Sequence, residues 1–154
     1  MYTSSAMKVA IENKKARLEY EFLETYDAGL ELHGFEVKAL RNGKGSLLGS
    51  RVVVRGGEAY LIGASIPPHQ ERNAPASYDP ERSRRLLLNK KEIQELATYE
   101  GQRGLTIIPI VVYNNKRLKL HIAVARKKKK HDKRALLKER DVKRSINRSL
   151  KDEY

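Results

Sequence analysis

The sequence predicts a mainly β protein, namely a small OB-like β-barrel with short flanking helices and a basic, helix-prone C-terminal tail. Apolar residues recur in short alternating or unbroken runs, which is typical of strands. Turn signals join neighbouring runs as hairpins, and short strands of this kind usually close into a small barrel or a partly open sandwich, of which the OB-like barrel is the prediction. The tail is set apart by charge, because residues 126–154 hold 13 Lys/Arg against 5 Asp/Glu and so carry +8 of the net +13.

The N-terminal region is predicted to begin with a flexible leader, residues 1–12, ahead of the barrel at residues 13–125. Apolar and charged residues alternate over residues 17–23, which predicts a half-buried strand. Asp27–Ala28–Gly29 is expected to break that strand, and the alternation resumes at residues 30–32. This region therefore predicts two short strands.

A short helix and a hairpin are predicted next. Residues 37–40 place apolar side chains three apart, and the Asn/Gly-rich residues 42–45 end that helix. The β-branched run at residues 52–54 and the alternating residues 60–66 flank Gly56–Gly57, a two-residue turn. The pattern favours two antiparallel strands.

A long surface loop, residues 69–85, separates the hairpin from a second helix. The loop is rich in Asn, Pro, Ser and Asp and holds little apolar material. Asn89 is the predicted N-cap of the helix, with Glu92 three residues later, and Gly101 marks its end. In all, the pattern predicts about six strands and two short helices.

The last part of the barrel is predicted to be another hairpin. Residues 105–113 are almost entirely apolar, which indicates a buried strand, and Pro109 within it indicates an edge position or a bulge. A turn at residues 114–115 leads to the alternating residues 118–124. The tail, residues 126–154, lacks Gly and Pro and is expected to be disordered alone and helical when a partner screens its charge.

Composition argues against several classes of function. The chain has no Cys, which removes thiolate metal sites and Cys nucleophiles, and no apolar run approaches the roughly 20 residues of a membrane helix. No two of the four histidines lie three to five residues apart: His33, His69, His121 and His131. Nothing in this pattern indicates an enzyme, a cofactor or a metal site, and a cytoplasmic location without a membrane partner is the expectation.

The concentrated positive charge predicts a nucleic-acid partner. Lys and Arg gain binding energy by displacing counterions from phosphates. In the barrel, Lys38 and Arg41 project from the first predicted helix, and a second basic group brackets residues 86–89. The members of that group are Arg82, Arg84, Arg85, Lys90 and Lys91. A histidine such as His131, within the basic run, has a flat ring that can stack on an RNA base.

Several stretches together resemble the SmpB (SsrA-binding protein) family, in the family's order over about residues 13–134. The stretches are Asn13–Ala16, Tyr26–Gly29, Gly34–Arg41, Arg85–Asn89 with Glu92–Ile93, Gly104–Thr106 with Pro109 and Tyr113, and Ala125–Arg134. The resemblance implies an OB-like barrel that binds the tRNA-like domain of transfer-messenger RNA. It also implies trans-translation, the rescue of ribosomes stalled on an mRNA without a stop codon.

The resemblance implies two sets of contact residues. Those for transfer-messenger RNA are Asp27, Lys38, Arg41, Leu87 and Asn89. Those for the ribosomal decoding centre are Lys128, Lys129, His131, Asp132, Lys133 and Arg134. The tail would enter the decoding centre and the empty mRNA channel as a helix. Elongation factor Tu would be an indirect partner through the charged RNA, and a monomer would suit a tRNA mimic.

Two residues depart from the family's pattern. Asp27 stands where the family usually has the longer Glu, and a carboxylate of either length accepts hydrogen bonds from a base or sugar. Lys127 stands at the family's Gly position. If that Gly provides a turn with positive φ, Lys127 is expected to strain the bend between barrel and tail.

Two other classes of function stay open on the sequence. The first is a ribosomal or initiation-factor-like barrel that remains bound to the ribosome and does not need transfer-messenger RNA. The second is a small nuclease or RNA-modifying enzyme, which would require a cluster of acids or histidines that the sequence does not offer.

Overall fold

The computed structural model describes residues 8–70, 72 and 74–129, which form seven strands and three helices. In chain order the elements are β1 (Lys8–Glu12), α1 (Lys14–Glu19), β2 (Tyr20–Leu30), α2 (Gly34–Arg41), β3 (Arg51–Arg55), β4 (Glu58–Ile62), β5 (Arg84–Leu87), α3 (Lys90–Glu100), β6 (Leu105–Asn115) and β7 (Arg117–Lys127).

All seven strands belong to one antiparallel sheet in the order β1-β6-β7-β2-β5-β4-β3. Among the described residues β1 and β3 are the two edges and do not pair, so the closed barrel that was predicted is not confirmed. A cleft of about 220 Å³ lies between β3 and the start of β6. At the β3 edge the backbone N–H of Val54 donates to a carboxylate oxygen of Glu100 at 2.7 Å. The Glu100 side chain thus satisfies a backbone N–H of β3 that a closed barrel would pair with another strand.

The main hydrophobic core lies on the inner face of this sheet and under α2 and α3. The alternation in β7 was predicted correctly, since Leu118, Leu120, Ile122 and Val124 are all buried. Leu40 of α2 and Leu96 of α3 are fully buried in the same cluster. The two helices thus seal the core against the middle of the sheet.

A fully buried ion pair joins α2 to β5. The side chains of Glu36 and Arg84 are both 0% exposed. The Arg84 guanidinium donates to Glu36 Oε2 from Nε at 3.0 Å and from Nη2 at 2.8 Å, and its Nη1 donates to the carbonyl of Ala64 at 2.8 Å. The carboxylate also accepts hydrogen bonds from the side chain of Arg82, the backbone N–H of His33 and the hydroxyl of Tyr78.

The hydrogen bonds decide the protonation state of Glu36. Burial by itself raises the pKa of this carboxyl, but the hydrogen bonds that it accepts outweigh burial and lower the pKa to about 2. Burial and then the hydrogen bond to Glu36 raise the pKa of Tyr78 to about 12. Glu36 is therefore ionised at neutral pH, and Tyr78 remains a hydroxyl donor.

The elements that have strong local signals in the sequence were predicted correctly. Helix α2 begins and ends as expected, and the turn of the β3–β4 hairpin has positive φ at both Gly56 and Gly57. Helix α3 is capped by the reciprocal bonds of Asn89 and Glu92. The pairing of β6 with β7 shifts register just after Pro109, which confirms the predicted bulge.

Three predictions for the N-terminal region are wrong. Residues 8–12 form β1 on β6 instead of a leader, and residues 17–19 of the strand predicted over 17–23 belong to α1, whereas residues 20–23 are strand as predicted. The side chain of Asn13 explains the second error, since it accepts from the Ala16 N–H and donates to the carbonyl of Pro109. Residues 27–29 do not break β2, because β7 and β5 pair with it from both sides. Residues 1–7 lie outside the described residues.

The predicted loop at residues 69–85 is too long at its C-terminal end. Arg84 and Arg85 already belong to β5, which pairs with β4 on one side and β2 on the other. The buried pair of Arg84 with Glu36 is the reason, because it requires a polar residue on the inner face of a strand. A charged residue at such a position gives no apolar signal in the sequence.

Replacement of Glu36 by Gln tests the buried ion pair. Breaking such a pair leaves an unpaired buried charge and is expected to lower the free energy of unfolding by about 3–5 kcal/mol. Glu31→Gln is the matched control, because the Glu31 side chain is exposed and its pair with Arg85 contributes at most about 1 kcal/mol. Urea unfolding at pH 7 measures both values, and equal losses in the two variants would contradict the assignment.

The same variant gives a pH test. The pKa of Glu36 is lowered by folding from 4.5 to about 2, so its contribution to stability is complete above 4.5 and is lost as the pH falls towards 2. Glu36→Gln has no carboxylate to titrate there. The difference in stability between wild type and Glu36→Gln should therefore shrink across this window, and a constant difference would rule out the lowered pKa.

Candidate nucleic-acid interface

The centre of the candidate interface is the outer face of β2 and β5. In β2, Tyr26 and Ala28 face the core, so Asp27 and Gly29 lie on the opposite face. Gly29 pairs with Leu87 of β5. The side chain of Asp27 is 54% exposed, and Leu87 is 49% exposed despite being apolar. The register thus brings a carboxylate and an exposed apolar side chain to one face.

Gly29 makes room for the side chain of Leu87. A Cβ atom at position 29 would lie 3.0 Å from the Cβ of Leu87 and 3.3 Å from its Cδ1. The side chain of Leu87 therefore occupies the space that a residue at position 29 would need. Gly29 was predicted only as part of a strand break, although glycine inside a strand commonly marks such a close approach.

Asp27 is held by its cross-strand neighbour. Its Oδ1 lies 2.7 Å from Nδ1 of His121, which is the residue directly opposite it on β7. His121 thus makes a cross-strand contact. The contact fixes one oxygen of the carboxylate while about half of the side chain stays exposed, which leaves a positioned hydrogen-bond acceptor at the surface.

Asn89 follows Leu87 by two residues and begins α3. Its Oδ1 accepts from the Glu92 N–H at 2.8 Å, so the capping bond does not involve the Nδ2 donors of the amide. The hydroxyl of Tyr26 donates to Glu95 at 2.8 Å and ties α3 to β2. Burial, and then this hydrogen bond, raises the pKa of Tyr26. The start of α3 is thereby fixed beside the strand that carries Asp27.

The basic residues predicted for phosphate contact divide into two groups. Lys38 and Arg41 are exposed, but they lie on α2 and not on the β2–β5 face. Arg85 is exposed and is paired with Glu58 and Glu31. Arg84 is fully buried in the ion pair and is not available for RNA, contrary to its place in the predicted basic group.

The end of β7 is anchored to α1. The backbone N–H of Lys128 donates to the carbonyl of Glu19 at 2.9 Å, and its Nζ donates to the carbonyl of Arg17. Lys127 is the last residue of β7 and pairs with Tyr20, and its φ is not positive. The prediction of backbone strain at Lys127 is therefore wrong. The predicted contacts at His131, Asp132, Lys133 and Arg134 lie outside the described residues.

Two further observations concern other kinds of site. Within residues 8–70, 72 and 74–129, no three His, Asp or Glu side chains converge in a way that could hold a metal ion. Among the helices described, none is long and apolar enough to cross a bilayer.

Comparison with known proteins identifies the family. The model of the family described as "SmpB protein" matches residues 10–152. The SsrA-binding protein of Synechococcus sp. (strain JA-3-3Ab) is 45% identical over 146 residues, which cover 94% of this chain and 95% of the relative. That of Thermosipho africanus (strain TCF52B) is 48% identical over 147 residues, covering 94% and 98%. This chain belongs to the SmpB family.

A solved structure agrees with this assignment. One chain of "tmRNA-SmpB: a journey to the center of the bacterial ribosome" is 43% identical and superposes with a TM-score of 0.65. The match covers 77% of this chain and 84% of that chain. SmpB is a family of RNA-binding proteins and not of enzymes, which agrees with the geometry of the β2–β5 face.

Proposed function

We propose that this chain is a non-catalytic adaptor of trans-translation that binds the tRNA-like domain of transfer-messenger RNA and delivers it to stalled ribosomes. The observation that carries the proposal is the exposed face shared by Asp27 and Leu87, with the exposed Asn89 two residues after Leu87, in a chain of the SmpB family. The names of the similar proteins, SsrA-binding protein and tmRNA-SmpB, support the choice of RNA.

Each residue of this face supplies a different contact. The carboxylate of Asp27 accepts hydrogen bonds from an exocyclic amine or a ribose 2′-hydroxyl, which duplex RNA displays in its shallow groove. Leu87 gives a base or sugar an apolar surface. The amide of Asn89 donates to an acceptor on a base edge. Lys38 and Arg41, on α2, contact phosphates and add salt-dependent affinity.

The ribosomal side of the function is assigned to the tail. Lys128, Lys129, His131, Asp132, Lys133 and Arg134 are proposed to contact the decoding centre, and the rest of residues 126–154 to follow the empty mRNA channel as a helix. Its charge of +8 supports capture by ribosomal RNA. An mRNA in the channel would leave this segment no place to fold. The sheet acts as a monomeric OB-like body in the cytoplasm, and elongation factor Tu joins through the charged RNA.

A competition titration tests the RNA assignment. The purified full chain is titrated with labelled transfer-messenger RNA at two salt concentrations, with ordinary tRNA as competitor. Binding that survives the competitor is expected, because base and sugar contacts add to the phosphate term. Equal affinity for both RNAs, falling together with salt, would contradict the proposal and favour a ribosomal-protein-like role.

Truncation tests the division of labour between sheet and tail. A chain that ends at Lys129 keeps β7 and the two bonds from Lys128 to α1. Its affinity for transfer-messenger RNA is expected to stay close to that of the full chain at moderate salt, while peptide tagging on stalled ribosomes is lost. Loss of RNA affinity in parallel with tagging would show that the sheet does not bind on its own.

Gly29→Ala tests the role of Leu87. The new Cβ is expected to displace Leu87 and to weaken binding of transfer-messenger RNA on the order of tenfold, equivalent to about 1.4 kcal/mol. Gly34→Ala is the matched control, because a Cβ there meets nothing within 4 Å. In a double-mutant cycle, Gly29→Ala should cost nothing further in the Leu87→Gly background, which lacks the Cβ as well as the rest of the side chain. Additive losses would show that Gly29 acts by another route.

A further inference from the structure

Three aromatic rings form a continuous pile at the junction of β2 and α2. The ring of His33 stacks on that of Phe35, with centroids 5.3 Å apart and planes 24° apart. Phe35 meets Tyr78 edge to face at 4.7 Å and 85°. His33 also meets Tyr78 edge to face at 6.5 Å and 77°, so all three rings of the pile contact one another.

The inner end of the pile is fixed. The hydroxyl of Tyr78 lies 2.8 Å from Glu36 Oε2 and 2.7 Å from the carbonyl of Ile66, and it accepts from Arg84 Nη2 at 3.0 Å. These contacts belong to the buried ion pair of Glu36 and Arg84. Because Tyr78 cannot turn without breaking them, Phe35 is held by a rigid neighbour.

The outer end of the pile is exposed. Phe35 and Tyr78 are half-buried, whereas His33 is exposed. One face of the His33 ring lies against Phe35, while the residue as a whole is exposed. RNA-binding proteins stack unpaired bases on exposed flat rings, and a second ring behind His33 holds it in place for such a contact.

The pile lies between the two groups of residues proposed to bind RNA. His33 lies four positions after Gly29, so their Cα atoms are at most about 14 Å apart. On the other side, His33 immediately precedes α2, which carries Lys38 and Arg41. The N–H of Glu31 donates to the carbonyl of Arg85 at 3.0 Å, so pairing with β5 continues towards the pile. His33 is therefore linked directly to both elements that carry the proposed RNA contacts.

We propose that His33 is the stacking platform for an unpaired nucleobase of the transfer-messenger RNA, with Phe35 and Tyr78 as the positioning residues behind it. This inference rests on the proposed function and adds a binding site to it. The site takes the flat face of a base and reads no base edge, so it favours an unpaired nucleotide over a paired one and tolerates any base.

A tryptophan at position 33 makes the contact visible. The chain contains no Trp, so His33→Trp carries a single indole fluorophore. Titration with transfer-messenger RNA is expected to quench its emission and to shield it from acrylamide, with an affinity close to that of wild type. Leu48→Trp is the matched control, because Leu48 is 63% exposed and belongs to neither the β2–β5 face nor α2. Its emission should stay constant.

Affinity gives the second readout. His33→Ala is expected to weaken binding roughly 5- to 150-fold, the effect of losing one stacked base, while His33→Tyr keeps most of the affinity. Both variants should stay folded at the temperature of the titration, since they keep the backbone N–H of residue 33 that donates to Glu36. A drop in melting temperature that accounts for the lost affinity would reduce His33 to a structural role.

The outcomes separate this inference from the function on which it rests. If wild type binds transfer-messenger RNA but His33→Trp binds without quenching, the stacking site is wrong and the proposed function stands. Quenching by ribosomes alone, or equal quenching of Leu48→Trp, would also overturn the site. If wild type does not distinguish transfer-messenger RNA from ordinary tRNA, the proposed function itself fails.

Discussion

The buried ion pair of Glu36 and Arg84 is the interaction on which the rest of the structure depends. Two charges without exposure are stable only when every donor and acceptor is matched, and here α2, β5 and the loop before β5 supply the partners. The pair fixes the start of β5, so the same pair sets the register that places Leu87 opposite Gly29. Through Tyr78 it also fixes the ring pile, so both parts of the proposed RNA surface share one anchor.

The sequence predicted those elements whose signals are local. The caps of α3, the Gly56–Gly57 turn and the alternation of β7 need only neighbouring residues, and each was found as expected. The failures are at positions where distant partners decide. The Asn13 side chain converts an alternating pattern into a helix through Ala16 and the carbonyl of Pro109, and Glu100 takes up the β3 edge that a closed barrel would pair. No local pattern contains that information.

The candidate site shows the same limit. Asp27, Leu87 and Asn89 could be named because they match motifs of the SmpB family, whereas Gly29 was missed although it shapes the space that Leu87 fills. The ring pile was also missed, because Phe35 and Tyr78 are far apart in sequence and meet only after the loop folds back on α2. Sequence similarity thus finds residues that contact a ligand more readily than residues that position them.

Strand β2 links the two halves of the proposed function. Asp27 lies on this strand, and Tyr20, at its start, pairs with Lys127 at the end of β7. Seven residues of extended chain span about 23 Å, so the distance from the RNA surface to the root of the tail is set by one paired strand. Lys127 continues β7 in place of the family's Gly, and Lys128 bonds to α1. The end of the sheet is therefore a fixed point, and under the proposed function an RNA held at Asp27 would set where on the ribosome that point is presented.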